Sequence, residues 1–156
     1  MKKNVSIPAP KNPLSVEVVI ADSGSTKKTS SHRIAGEART SAKKLGFTRG
    51  TISIVLVSRS RMRLLNLKFR GKKNATDVLA FPYIVKKDSV VADIMICPNV
   101  IRERLARYGA HGKNFYSGLA FIVAHAMVHL KGFDHKTSLE ARRMDRKVQQ
   151  LLATQQ

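Results

Sequence analysis

A chain of 156 residues with 43% hydrophobic residues can bury one core, and it is too short for two independent domains of ordinary size. Its 29 Lys and Arg against 10 Asp and Glu give a net charge of +19, which favours a polyanionic partner, nucleic acid before an anionic membrane. The single Cys97 excludes an internal disulfide and suits a reducing compartment. The longest apolar run, residues 118–130, is too short to span a bilayer, so we predict a cytoplasmic protein without a membrane partner.

The first thirteen residues, MKKNVSIPAPKNP, are basic and lack the continuous apolar segment of a secretory signal. We therefore predict a flexible basic arm over residues 1–13, followed by one domain over residues 14–153. Residues 1–45 are rich in Ser, Lys and Arg and poor in acidic residues, a composition that an organelle transit peptide would also have. We consider this the less favoured interpretation of the region.

Hydrophobic periodicity separates the chain into strands and helices. Alternating apolar residues predict strands over 15–20, 51–57, 76–83 and 90–97, with Pro82 and Pro98 ending the last two. Helical spacing predicts helices over 28–47, 58–71, 98–109 and 113–132, the first two closed by Gly46 and Gly71. Thr137 and Glu140 form a capping box that opens a last helix. This order predicts the α+β class: a single domain with a mixed sheet of about four strands packed with about five helices.

Three of the five histidines lie within eleven residues, in the segment HAMVHLKGFDH. His125 and His129 are four residues apart, so a helix places them one turn apart on one face. Gly132 can end this helix and let the chain double back, which carries His135 towards the other two. Three neutral imidazoles suit Zn²⁺, one ion per chain, and leave a fourth position for water, as in catalytic sites. We therefore predict a metal site in a cleft.

Two other interpretations of this cluster are weaker. In the first, each histidine has its own hydrogen-bond partners in the core or water at the surface, and no metal is bound. A zinc peptidase of the H-E-x-x-H type is disfavoured, because Ala126 stands where such an enzyme carries its general-base Glu.

The segment from Ala38 to Thr76 contains no acidic residue. A basic run without compensating acid favours contact with phosphates over a merely solvated helix face. With no Trp in the chain, extensive base stacking has little support. The candidate nucleic-acid-binding residues in and after the second helix are Arg59, Arg61, Arg63, Lys68, Lys72 and Lys73.

Three segments in this order resemble the consecutive signatures of the YbeY family: FRGKKNATDVLAFP at 69–82, ADIMIC at 92–97 and HAMVHLKGFDH at 125–135. The resemblance spans at least residues 50–150. It implies a zinc-dependent, single-strand-specific endoribonuclease that matures the 3′ end of 16S ribosomal RNA and serves ribosome quality control. The implied partners are single-stranded ribosomal RNA, the small ribosomal subunit and its proteins.

The resemblance also implies roles for particular residues. His125, His129 and His135 are the implied zinc ligands, and His125 and Arg70 are the implied catalytic residues. Zinc would lower the pKa of bound water or polarise a phosphoryl oxygen, while Arg70 would clamp the phosphate and offset the developing charge. The general base is left unassigned.

Three carboxylates near the motifs have two interpretations each. Asp134 either orients a ligating imidazole from outside the coordination sphere or shapes the turn. Asp77 and Asp93 match family positions and are either site residues or turn and cap residues. Departures from the usual motifs include Ala92 and Ala126, and each added methyl group could narrow the cleft if substrate and backbone approach there.

A second function, of a different class, is compatible with the same residues. A basic ribosome-assembly factor would bind ribosomal RNA through its charged surface and use a mainly structural zinc site. It predicts that chelation unfolds the domain, whereas the enzyme hypothesis predicts loss of RNA cleavage on mutation of the histidines or Arg70.

Overall fold

The computed structural model describes residues 7–22, 29–107 and 114–153, and within them it has four strands and five helices in the predicted order. The strands are β1 (Ser15–Ile20), β2 (Arg49–Leu56), β3 (Val78–Val85) and β4 (Ser89–Ile96). The helices are α1 (Ser31–Lys44), α2 (Arg59–Arg70), α3 (Pro98–Arg107), α4 (Phe115–Leu130) and α5 (Ser138–Ala153). The predicted α+β class is confirmed.

The four strands form one mixed sheet in the order β1-β2-β4-β3. β1, β2 and β4 run parallel to one another, and β3 pairs antiparallel with β4, so that Val78 lies opposite Ile96. The beginning of β3 therefore lies at the edge where the parallel strands end. In open sheets of this kind, ligands bind in crevices at the carboxyl ends of the parallel strands.

The main core lies between one face of the sheet and the helices α1, α4 and α5. Alternate residues of β2, such as Ile52, Ile54 and Leu56, point into this core, as the period of two requires. On the opposite face, Met62 of α2 packs with Leu79 of β3 in a smaller cluster. α4 is thus the central helix of the larger core, which is why its sequence is apolar on most sides.

One predicted strand boundary is wrong. Pro82 does not end β3, which continues to Val85 with a register shift between Pro82 and Ile84. β3 is an edge strand of the sheet, where a residue without an N–H is tolerated, especially at an irregularity. Pro98, in contrast, follows β4 and begins α3, a position where its missing N–H has no cost.

Capping residues set the helix ends. Ser30 caps α1, so this helix begins three residues later than predicted. The predicted capping box before α5 is confirmed: Glu140 N–H donates to Thr137 Oγ1 at 3.2 Å, and Thr137 N–H donates to Glu140 Oε2 at 3.1 Å. Within the described ranges, no helix is both long enough and apolar enough to cross a bilayer.

Part of the predicted N-terminal arm, residues 1–6, lies outside the described residues. Further along the arm, the backbone joins the start of β2. Gly50 N–H donates to the carbonyl oxygen of Asn12 at 3.1 Å, and Pro13 forms a bridge with Arg49. Asn12 and Pro13 therefore connect the arm to the sheet.

Candidate metal centre

Two of the clustered histidines are carried by the last two turns of α4. Asn114 caps this helix, and its Oδ1 accepts a hydrogen bond of 2.9 Å from Ser117 N–H. The side chains on either side of the histidines, including Ala124, Met127 and Val128, are buried in the core. His125 and His129 occupy the half-buried side of the helix, where their rings meet edge to face.

The third histidine is brought back by the turn that ends α4. Gly132 adopts φ +102°, a conformation that residues with a Cβ rarely take. Gly132 N–H donates to His129 O at 2.9 Å and Phe133 N–H to Val128 O at 3.3 Å, the pair of bonds of a Schellman motif. The chain reverses there, and His135 reaches the ends of the other two side chains, as the sequence predicted.

The three imidazoles converge on one point. Their ring centroids are separated by 4.9 Å between His125 and His129, 5.1 Å between His129 and His135, and 6.1 Å between His125 and His135. One nitrogen from each ring lies within 4.8 Å of the other two. With the metal–nitrogen bonds of about 2.0–2.1 Å that Zn²⁺ prefers, small side-chain rotations would bring all three nitrogens within reach of a single ion.

Hydrogen bonding indicates how these rings can serve as ligands. Nδ1 of His129 lies 3.0 Å from the carbonyl oxygen of Phe133. Because a carbonyl only accepts, Nδ1 carries the proton and Nε2 keeps its lone pair for a metal. Nδ1 of His125 is buried without a hydrogen-bond partner among the described residues. An imidazole nitrogen left without a partner beside two other imidazoles fits a metal-binding cluster.

The electrostatics favour the neutral imidazoles that bind metals. Burial lowers the pKa of His125, and the neighbouring His129 and His135 lower it further. Burial is also the main cause of the lowered pKa of His129, with the charges of His135 and Arg70 acting in the same direction. Both rings are therefore mainly neutral at pH 7, and their nitrogen lone pairs are available to a metal ion.

A cleft of about 450 Å³ opens beside the cluster. The three histidines line one side, and the residues from Thr76 to Ala80, at the beginning of β3, line another. Arg70, the last residue of α2, also lines the cleft and is exposed. Gly71 follows it in a left-handed conformation, and this ends the helix at the rim of the cleft. The histidine cluster and Arg70 therefore line the same cavity.

Sequence reasoning missed an ion pair at this cleft between a buried carboxylate and a half-exposed arginine. Asp77, which lines the cleft and is only 8% exposed, forms an ion pair with Arg104 of α3. Thr76 Oγ1 donates to Asp77 Oδ1 at 3.2 Å, and Cys97 N–H donates to Asp77 O at 2.9 Å. The sequence around Arg104 does not indicate its ion pair with Asp77, because the two residues lie on different elements. These contacts fix the orientation of the Asp77 side chain at the edge of the cleft.

The other residues singled out near the motifs lie in different environments. Asp134 lines the cleft, and its Oδ1 accepts from His135 N–H at 2.8 Å, a turn-shaping contact. Asp93 lies in the middle of β4 and accepts a hydrogen bond of 2.8 Å from Tyr83 Oη. Ala126 lines the cleft, whereas Ala92 is buried in the main core and is not among the residues that line it.

The six candidate nucleic-acid-binding residues are all exposed, on α2 and the loop after it. Arg59 forms an ion pair with Glu103, and Arg63 Nε donates to the carbonyl oxygen of Lys73 at 3.1 Å. Arg61 and Lys68 line a second, more open depression of about 710 Å³. These six residues, Arg59, Arg61, Arg63, Lys68, Lys72 and Lys73, lie outside the lining of the histidine cleft. Only Arg70 of the basic residues on α2 lies within it.

Comparison with known proteins places this site in a family. A family model described as "Endoribonuclease YbeY" matches residues 17–156. A protein of that name from Thermodesulfovibrio yellowstonii is 37% identical over 106 residues, which cover 65% of this chain and 65% of that protein. Its counterparts from Polynucleobacter asymbioticus and Carboxydothermus hydrogenoformans are each 35% identical, over 62% and 67% of this chain and 61% and 71% of their own lengths. The matched part thus spans about two thirds of these relatives.

A solved structure shares the fold. The solution structure of a protein from Thermotoga maritima superposes with a TM-score of 0.56 and 21% sequence identity. The match covers 89% of this chain and 90% of that protein. At this level of identity, the likeness supports the arrangement of strands and helices alone.

Proposed function

Since the chain belongs to the YbeY family, we propose that it is a zinc-dependent endoribonuclease that cleaves single-stranded RNA. Its proposed role is maturation of the 3′ end of 16S ribosomal RNA and quality control of ribosomes, in the cytoplasm. The proposed partners are the small ribosomal subunit, its RNA and its proteins.

The observation that carries this proposal is the shared cavity of the three imidazoles and Arg70. Three neutral nitrogen ligands leave a metal with open positions for water and substrate, the arrangement of catalytic zinc sites. A planar guanidinium at the rim of the same cavity suits bidentate contact with a phosphate.

The proposed mechanism assigns separate tasks to the residues of the cleft. His125, His129 and His135 would hold the Zn²⁺, which would supply Lewis-acid activation of a water molecule or of a phosphoryl oxygen. The carbonyl of Phe133 keeps His129 in the tautomer that presents Nε2. Arg70 orients the scissile phosphate and offsets the negative charge that grows at its oxygens in the transition state.

The exposed basic residues of α2 suit the approach of RNA to this cleft. Their helix ends at Arg70, so a phosphate backbone that follows α2 is led to the cavity. Each phosphate neutralised by Lys or Arg releases counterions, so binding falls steeply as salt rises. We therefore infer that Arg61 and Lys68 contribute to affinity, and Arg70 to both affinity and turnover.

The deciding experiment compares wild type with His129→Ala in zinc content, by elemental analysis, and in cleavage of a labelled single-stranded RNA. His32→Ala is the matched control, because His32 is an exposed histidine of α1 outside the cluster. We expect one zinc per chain and cleavage in wild type and His32→Ala, and loss of both in His129→Ala. Undiminished cleavage by His129→Ala would refute the proposal.

The exposure of the basic residues outside the cleft favours one second candidate, a ribosome-assembly factor that acts by binding RNA. In that case a folded variant that no longer cleaves RNA but still binds it rescues assembly in cells that lack the protein. Failure of this rescue, with normal RNA binding by the variant, excludes the second candidate.

A further inference from the structure

Phe121 is an exposed aromatic residue in contact with the histidine cluster. Its ring centroid lies 5.9 Å from that of His125, with the two planes inclined by 30°. The residue is 39% exposed although it belongs to the most buried helix of the larger core. Phe121 is not one of the residues that line the cleft, but it contacts His125, which is, so its exposed surface lies next to the cleft.

The position of Phe121 on α4 aligns it with the metal centre. It precedes His125 by four residues, and Ser117 precedes it by another four, so these side chains form one stripe along the helix. Ser117 and Phe121 are exposed and His125 is half-buried. This stripe therefore leads along the surface of α4 to the metal-binding side chains.

Other exposed aromatic rings near the cleft are already engaged. Phe69, adjacent to Arg70, packs edge-on against Phe81 at 4.9 Å, and the Lys68 ammonium lies 5.3 Å from its centroid. Tyr83 donates a hydrogen bond to Asp93 through its hydroxyl, and within the described part of the chain its ring has no contact with the histidine rings. Among the described residues, the ring contact of Phe121 is with His125, and the residue keeps 39% of its surface exposed.

From this geometry we propose that Phe121 is a nucleobase-stacking residue, forming a subsite for one unpaired base next to the scissile phosphate. The inference rests on the proposed RNA-cleaving function. A phosphate held by Arg70 and the metal leaves the base of a neighbouring nucleotide free to lie on the Phe121 ring. Stacking on an aromatic face accepts every base, because each has a π-face, so the subsite selects for an unpaired base and not for its identity.

The subsite gives a physical reason for a preference for single strands. A base in a duplex has both faces covered by its neighbours and is held by its pair, so stacking on Phe121 would require the base to leave the helix. An unpaired base reaches the ring at little cost. The absence of Trp and the small number of aromatic residues agree with a single platform rather than an extended stacking track.

The test uses the full-length, zinc-loaded protein and a single-stranded RNA whose bases near the cleavage site are replaced one at a time by an abasic nucleotide. Phe121→Leu removes the ring and keeps an apolar side chain, and Phe121→Tyr is the matched control that keeps a ring. We expect Phe121→Leu to raise KM for the intact RNA at least about fivefold, the lower end of the range for stacking of one base, with a smaller change in kcat. Phe121→Tyr should behave as wild type.

The abasic series identifies the stacked nucleotide. At one position, loss of the base should raise the wild-type KM by a similar factor and have no further effect in Phe121→Leu. Equal KM values for wild type and Phe121→Leu would overturn the subsite and leave the proposed function standing. Loss of zinc from Phe121→Leu would overturn it too, because the ring would then serve to support His125. If the zinc-loaded wild type cleaves no RNA, the proposed function and the subsite fail together.

Discussion

His129 donates a hydrogen bond of 3.0 Å from Nδ1 to the carbonyl oxygen of Phe133, two residues before His135. This bond ties a metal-binding ring of α4 to the turn that returns the third histidine. The turn therefore orients one ligand and positions another. Its geometry depends on Gly132, whose positive φ lets the chain reverse after α4.

Gly132→Ala is expected to weaken zinc binding and lower the free energy of unfolding by about 1–2 kcal/mol, because a Cβ is strained at this φ. Gly36→Ala is the matched control: Gly36 lies inside α1, has no positive φ, and a Cβ there meets nothing within 4 Å. That substitution should stabilise the protein slightly. Zinc titration and urea unfolding of both variants measure the effects, and unchanged zinc affinity in Gly132→Ala would contradict this account of the turn.

Arg70→Gln is expected to lower kcat for RNA cleavage by about 10²–10³-fold, the usual effect of removing one donor to a developing anion. Zinc content should not change, because Arg70 lines the cleft without being one of the clustered histidines. Arg143→Gln, at an exposed arginine of α5, removes the same charge elsewhere and should cleave normally. An equal loss of kcat in both variants would show that net charge, and not the position of Arg70, is responsible.

Removal of zinc is expected to abolish cleavage and leave the fold intact. The main core is built from the sheet with α1, α4 and α5, and the three histidines lie outside it, half-buried or exposed. Circular dichroism of the chelated protein should show its helices and strands, and added zinc should restore cleavage. Unfolding on chelation would favour the assembly factor with a structural zinc site.

Arg104→Met is expected to lower the free energy of unfolding by about 1–3 kcal/mol, since it leaves the buried carboxylate of Asp77 without its ion-pair partner. Arg107→Met on the same helix is the control, because Arg107 pairs with Glu103 at the surface, where such pairs contribute little. Urea unfolding compares the two. Similar losses in the two variants would mean that the burial of Asp77 gives its ion pair with Arg104 no special contribution.

Cys97 is expected to be unreactive in the native protein. Its side chain is fully buried, and burial raises the pKa of the thiol, so that little nucleophilic thiolate is present or accessible. Labelling with Ellman's reagent should be slow in buffer and fast in urea. Gln149→Cys adds an exposed thiol on α5 as a positive control, and equally fast labelling of the wild type in buffer would disprove the burial.

The local features of this protein were predictable because they depend on residues close in sequence. The spacing of His125 and His129 places them on one helical face whatever the rest of the chain does, and Gly132 permits the reversal that returns His135. Pro82 was misjudged because the penalty for proline in a strand depends on whether the strand has a neighbour on both sides, and that is a property of the sheet.

Contacts of backbone groups and contacts between distant elements left no such signal. The carbonyl of Phe133 orients His129, and a backbone group has no sequence signature. The pairing of Asp77 with Arg104 depends on how α3 packs against the start of β3. That Arg70 lies beside the histidines was implied by the family resemblance and not by its own neighbours in the chain.

By itself the sequence determined the order of the elements through its periodicity, and through its composition a net positive charge that favours binding of polyanions. The short spacing of the histidines determined a cluster suited to a metal, because residues close in the chain stay close in any fold. The tertiary structure alone decided that Asp77 and the start of β3 line the cleft together with the three histidines, and that Phe121 stays exposed beside them. These relationships arise from the strand order β1-β2-β4-β3 and the packing of α4 on the sheet, which bring together segments far apart in the chain.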